Sequence, residues 1–215
     1  LSLREFLRLE SRARVPGHSW LSRTRKRLSL EVHGEVFDWV LALIAKAGLV
    51  QGDRVGVDAS TMEANAALRN IVQRASGEGY REMLVRLAEE SGIDRKRKGK
   101  KLSNEDWVSK SDPEAKIAKM KDGTTHLAYK PEHAVDLDTG AVVAAELHPA
   151  DEGDTTTLEK TLAVAKENLE AVDAAPTAED PAECVTDKGY HARAVLKALD
   201  DGPWKTRIAE PTRPY

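Results

Sequence analysis

The sequence predicts an α/β protein: a mixed sheet flanked by helices, with a helical N-terminal region and a helical insertion after the first strand. Three observations predict it. "DRVGVDAST" alternates Val55 and Val57 with small residues and reads as a strand ending at or just beyond Asp58. Residues 126–151 read as a β-hairpin whose turn, "DLDTGA", holds Gly140 where a positive φ is needed. A helix-period stripe follows the hairpin, and then a second apolar strand through Cys184 and Val185 stops at Asp187.

Composition narrows the classes. A chain of 215 residues holds one sizeable domain, or one domain with a small accessory unit. Hydrophobic residues are 40%, charged residues 32% and net charge −3, which excludes a uniformly basic, histone-like protein but not local basic patches. The single cysteine, Cys184, excludes an intramolecular disulfide and cysteine-rich zinc sites, and points to a reducing cytoplasm. The stretch "FDWVLALIAKAGLV" is broken by Lys46 and too short to span a membrane, so no membrane partner is expected. "LSLREFLRLESR" carries charges where a secretory signal needs an apolar run. The chain opens on Leu rather than Met, so residues are expected upstream.

Residues 1–50 form the expected helical region. Leu3, Leu7 and Glu10 fall on one side with Phe6 close by, a Pro16-Gly17 turn follows, and Ser19 is a candidate cap. Val32, Val36, Trp39, Val40, Leu43 and Ala47 recur at spacings of three and four, with Gly48 ending the helix and Trp39 expected in the core. Arg23, Arg25, Lys26 and Arg27 make a basic face, which serves either DNA contact or plain solvation of a helical bundle.

Residues 51–215 form the second expected unit, with the insertion at about 62–122. "MEANAALRNIVQRA" and "YREMLVRLAEESGI" both show helical periodicity around an "SGEG" loop. Next comes a basic loop with Arg95, Lys96, Arg97, Lys98, Lys100 and Lys101. It is a candidate phosphate contact; the alternative is a solvated loop. After the hairpin, Leu158, Leu162, Ala165, Leu169 and Val172 stripe a helix capped by Asp154 or a neighbouring Thr. "DAAPTAEDPAE" is a linker, a helix is expected from about His191 to Leu199, and "KTRIAEP" reads as a last strand stopped by Pro211.

Asp58 and Asp187 carry the chemistry. Each closes a strand, and ligands of open α/β sheets gather at the carboxyl ends of strands. If the two strands are neighbours, two carboxylates meet. They repel unless a cation lies between them, and a hard divalent ion such as Mg²⁺ suits all-oxygen ligation. Taken singly, Asp187 reads as a helix cap and Asp58 as a local hydrogen-bond acceptor.

"VGVDASTMEANAALRNIV", "KMKDGTTHLAYKPEHAVDLDTGAVVAAEL", "GDTTTL" and "VTDKGYHA" closely resemble DDE transposases of bacterial insertion sequences, the IS4-type group, over about residues 16–211. The resemblance implies an RNase H-like catalytic domain that cleaves DNA at element ends and transfers the freed 3′-hydroxyl, with Mg²⁺ or Mn²⁺ as cofactor. It implies double-stranded DNA as partner (terminal inverted repeats and target), self-association on DNA, and a bacterial cytoplasm. Asp58 in "VDAST" matches the first catalytic and metal-binding acid, and Asp187 in "TDKGY" the second. The family's third acid is a Glu on a helix beyond the last strand. The sequence closes at "AEPTRPY", so a C-terminal truncation without that third ligand is expected, and Glu210, at a strand end, is not its substitute. An inactive DNA-binding remnant and an RNase H-like nuclease without strand transfer are the alternatives.

Other residues read more plainly. His126 and His133 are seven apart and fall on opposite faces of a strand. Lys130 is expected at the surface, with a DNA phosphate contact as the alternative, and Asp136, a rival for the first acid, is expected as a stabiliser of "DLDTG". Trp107 is expected to be partly buried, with base stacking as the alternative.

Overall fold

The computed structural model describes residues 17–90 and 102–211, together with residues 5, 8–10, 12, 13 and 15. The chain divides into two compact units, Leu1–Leu43 and Ile44–Tyr215.

In the first unit, α1 (His18–Arg25) follows Gly17 at its N-cap with no side-chain cap, so Ser19 lies inside the helix rather than capping it. The second helix, α2 (Leu30–Lys46), runs on beyond the unit boundary and ends at Gly48, whose φ of 72° suits the left-handed stop. The expected apolar stripe is not a core. Trp39 is 63% exposed, and Val36, Val40 and Leu43 are also exposed, while Leu41 is buried. Periodicity fixed the helix but not which of its flanks is covered.

The second unit is built on a seven-stranded mixed sheet. Its strands are β1 (Arg54–Ala59), β2 (Met62–Glu63), β5 (Lys116–Lys119), β6 (Thr125–Asp136), β7 (Val142–Pro149), β8 (Ala182–Thr186) and β9 (Trp204–Ile208). The centre runs β7, β6, β1, β8, β9. β7 and β1 flank β6 antiparallel, whereas β8 is parallel to β1 and β9 parallel to β8. Two helices link the later strands: α4 (Asp154–Glu170) between β7 and β8, and α5 (Arg193–Asp200) between β8 and β9. α4 packs on β6, β7 and α5. Its Leu158, Leu162, Ala165 and Leu169 are buried, as their spacing predicts, and so are Val55, Val57, Ala134 and Cys184 of the sheet.

The hairpin forms as expected, with Gly140 at φ 78°. Asp136 is fully buried beside its turn and accepts main-chain hydrogen bonds from Asp138 and Thr139. It also accepts from Gln51 and Gly52, ahead of β1, which ties two distant segments together.

Three further expectations need correction. The insertion is not wholly helical. Among the described residues one helix forms there, α3 (Tyr80–Glu90), but "MEANAALRNIVQRA" becomes β2, a short 3₁₀ turn at Leu68–Asn70 and β3 (Ile71–Gln73), which pairs with β4 (Trp107–Ser109). Helix propensity loses here to a local core of Ala64, Ile71, Trp107, Ala115 and Leu127, where Ile71 is fully buried. Trp107 is 6% exposed and meets the Tyr80 ring edge-on at 5.7 Å, so it has no face free for a base. Asp154 does not cap α4; Gly153 is the N-cap, and the Asp154 carboxylate is drawn to Lys130 at 2.7 Å. Lys130 is correspondingly buried, not a surface lysine.

Candidate active site

The site begins with a register. Val57 of β1 pairs with Thr186 of β8, and the residue that follows each of them is an aspartate. Val57 and Thr186 are buried, so the alternation of a strand turns Asp58 and Asp187 to the opposite, open face. Both are exposed, and both line one cleft of about 730 Å³ with Gly56, His133, Val185 and Lys121. Neighbouring strands lie about 4.8 Å apart, so parallel pairing is what brings together two acids 129 positions apart in the sequence.

Each aspartate is held locally through Oδ1. Asp58 accepts from the Ala59 amide at 2.9 Å. Asp187 accepts from the Gly189 amide at 2.8 Å and caps the 3₁₀ turn Lys188–Tyr190. Asp187 is therefore a cap as well as a cleft-lining acid. Among the described residues neither Oδ2 has a protein donor. Two such oxygens on an open cleft fit a hard divalent cation, which keeps several waters and takes one or two protein carboxylates besides substrate phosphates. Among the described residues no three His, Cys, Asp or Glu side chains converge as a ligand set.

His133 and Lys121 were not anticipated. His133 lies opposite Asp58 in the β1–β6 register, and the strand's alternation was the signal that could have placed it. His126, on the other face as expected, pairs with Glu63 at 2.7 Å. Glu210 is exposed, two residues beyond β9.

Beneath the cleft is a buried polar cluster that the sequence reading missed. Glu132 is 0% exposed. Its Oε1 accepts from Tyr190 Oη and Thr157 Oγ1, both at 2.8 Å, and its Oε2 from Thr161. His148 Nε2 stands 3.5 Å from Oε2. Lys130 Nζ donates to Thr157 at 2.8 Å and stands 3.6 Å from Glu132. Burial, with the hydrogen bond to Glu132, pushes the Tyr190 phenol far above its ordinary value. The signal was the alternation of Lys130, Glu132, Ala134 and Asp136, which sets three charged residues on the covered face.

Of the residues expected to contact DNA, Arg23, Arg25, Lys26 and Arg27 are exposed on α1 and the turn after it, in the first unit. Arg95, Lys96, Arg97, Lys98, Lys100 and Lys101 lie outside the described residues.

Antiparallel β7, β6 and β1 continued by parallel β8 and β9, with helices packed on the sheet, make the RNase H-like architecture expected from the motifs. A family model described as transposase DDE domain matches residues 57–213, and the chain belongs to that family. No curated protein matches the chain. Among solved structures, the chain is similar to the Mos1 transposase paired-end complex with left transposon end, at 13% identity and a TM-score of 0.32. That match covers 95% of this chain and 47% of the other, so this chain spans about half its length.

Proposed function

We propose that this transposase-family chain performs metal-dependent DNA strand cleavage and strand transfer for an insertion sequence, with Asp58 and Asp187 holding Mg²⁺ or Mn²⁺ against a DNA phosphate. The observation that carries the reading is the adjacency of the two acids on one open cleft. A divalent ion bound there supplies an activated attacking oxygen and charge stabilisation for the leaving one. The chain's own part is positional. The Ala59 and Gly189 amides fix one oxygen of each aspartate and leave the other for ligation. Lys121 and His133, on the same cleft, are placed to meet phosphate oxygens. The proposed partners are double-stranded DNA (terminal inverted repeats and target) and further copies of the chain on that DNA. The proposed place of action is a bacterial cytoplasm; no helix among the described residues is long and apolar enough to cross a membrane.

One observation favours a second reading, a DNA-binding protein without cleavage: the described acids at the cleft number two, and no three-ligand set forms among the described residues. A single experiment separates the readings. Mn²⁺ binding is followed by electron paramagnetic resonance, and nicking of terminal-repeat DNA is assayed beside it. The cleavage reading expects both, each lost in Asp58→Asn and Asp187→Asn. Mn²⁺ and DNA binding without nicking selects the second reading. Nicking that survives Asp187→Asn overturns the site assignment.

A further inference from the structure

We propose that Glu132 and Tyr190 form a positioning pair that fixes the Lys188–Tyr190 turn and, through it, the carboxylate of Asp187; the proposal rests on the reading of Asp187 as a metal ligand. Neither residue touches the cleft. Their hydrogen bond joins the turn to the covered side of the sheet.

The first argument is the cost of Glu132. A carboxylate removed wholly from water is strongly disfavoured unless it is paired and hydrogen-bonded, and an apolar residue of similar volume is often as stable or more so. Here the carboxylate is fully satisfied, by hydroxyls of Thr157, Thr161 and Tyr190, with Lys130 and His148 close by. Thr157, Thr161, Lys130 and His148 belong to α4, β6 and β7, elements already packed together. Tyr190 alone comes from the segment after β8. The Tyr190–Glu132 bond is therefore the hydrogen bond by which this buried cluster reaches the turn that carries Asp187.

The second argument is the shortness of the lever. Tyr190 is three residues beyond Asp187, and between them Gly189 donates the hydrogen bond that holds Asp187 Oδ1. Gly189 is itself hemmed in. A Cβ there would stand 2.7 Å from Asp154 Oδ2 and 2.9 Å from Asp187 Oδ1. Asp154 is in turn held by Lys130 at 2.7 Å, and Lys130 Nζ lies 5.9 Å over the Tyr190 ring. A turn anchored at its Tyr190 end and walled at Gly189 has little freedom to rotate the Gly189 amide away from Asp187.

The test uses the full chain and two near-isosteric variants, Tyr190→Phe and Glu132→Gln, with Val143→Ala as a control that loosens the same sheet away from the turn. Amide hydrogen exchange is read at Gly189 and at Val55 and Val57, and Mn²⁺ affinity is read by electron paramagnetic resonance. Both variants are expected to leave Val55 and Val57 protection at the wild-type level and to speed Gly189 exchange about tenfold. Mn²⁺ affinity is expected to fall about tenfold or more, as for other outer groups that orient a metal ligand. Val143→Ala should leave Gly189 and Mn²⁺ affinity unchanged. Gly189 exchange unchanged in both variants overturns the proposal, whatever Mn²⁺ does. Equal effects in Val143→Ala overturn it too, as does failure of both variants to fold, because the pair would then serve folding as a whole. If the wild-type chain binds no Mn²⁺, the metal reading fails separately, and Gly189 exchange still decides whether the pair holds the turn.

Discussion

The Asp136 carboxylate, at the end of β6, accepts the Gly52 amide at 3.0 Å, 84 residues earlier in the chain. The same carboxylate takes the amides of Gln51, Asp138 and Thr139, so one buried group closes the hairpin turn and sets the entrance to β1. Burial raises its pKa, but the four amides together outweigh burial and hold it below 3.8. A carboxylate depressed in the folded state adds stability that is complete above its unfolded value and is lost as pH falls through the folded value. Asp136→Asn should therefore cost on the order of 3 kcal/mol at neutral pH. In urea denaturation the gap between wild type and variant should shrink below pH 3.8, with little change above about pH 5. A gap constant down to pH 2 would show that the charge contributes nothing.

Two glycines with the same backbone angle should respond differently to alanine. Gly52 and Gly140 both have φ 78°. At Gly140 an added Cβ meets nothing within 4 Å, so Gly140→Ala should cost about 1 kcal/mol, the left-handed penalty alone. At Gly52 the Cβ would stand 2.2 Å from the Ala174 carbonyl oxygen, so main chain must move. Gly52→Ala should cost about 3 kcal/mol or more. Thermal melts of the two variants compare them directly, and equal losses would refute the close approach at Gly52.

Much of this architecture was legible in the sequence, because its cues were local. Gly140 marked the hairpin, and the spacing of Leu158, Leu162, Ala165 and Leu169 marked the buried side of α4. Asp58 and Asp187 stood out by position at strand ends, though only the strand order puts them on one cleft. What was not legible depended on partners distant in sequence. Ile71 leaves a helix-like pattern because Trp107 gives it a place to be buried. Lys130 reads as a surface residue until α4 brings Asp154 and Thr157 to it. Trp39 has helical spacing, and spacing says nothing of whether anything covers it.

Cys184 should be chemically silent in the folded chain. It is fully buried in β8, and burial pushes its thiol up to about 12. Only the thiolate attacks disulfide reagents. At pH 8 its reaction with an aromatic disulfide reagent should run at least about 100-fold slower in buffer than in denaturant. A native rate close to the denatured one would mean that β8 opens readily, and the Asp187 cleft with it.

The proposed DNA contact of the first unit has a quantitative signature. Arg23, Arg25, Lys26 and Arg27 are exposed, and the described ion pairs include none of them. Each phosphate neutralised by such a group releases condensed counterions, so the logarithm of affinity falls with the logarithm of salt concentration by about 0.9 per contact. Replacing all four with Gln should flatten that slope by up to about 3.6 and weaken binding to all sequences alike. Lys26→Gln alone should remove about 0.9 if it touches phosphate. The comparison is a salt titration of duplex binding by the wild-type chain and the two variants. An unchanged slope in the fourfold variant would take DNA contact away from this face. A loss confined to terminal-repeat DNA would instead assign the face to base reading.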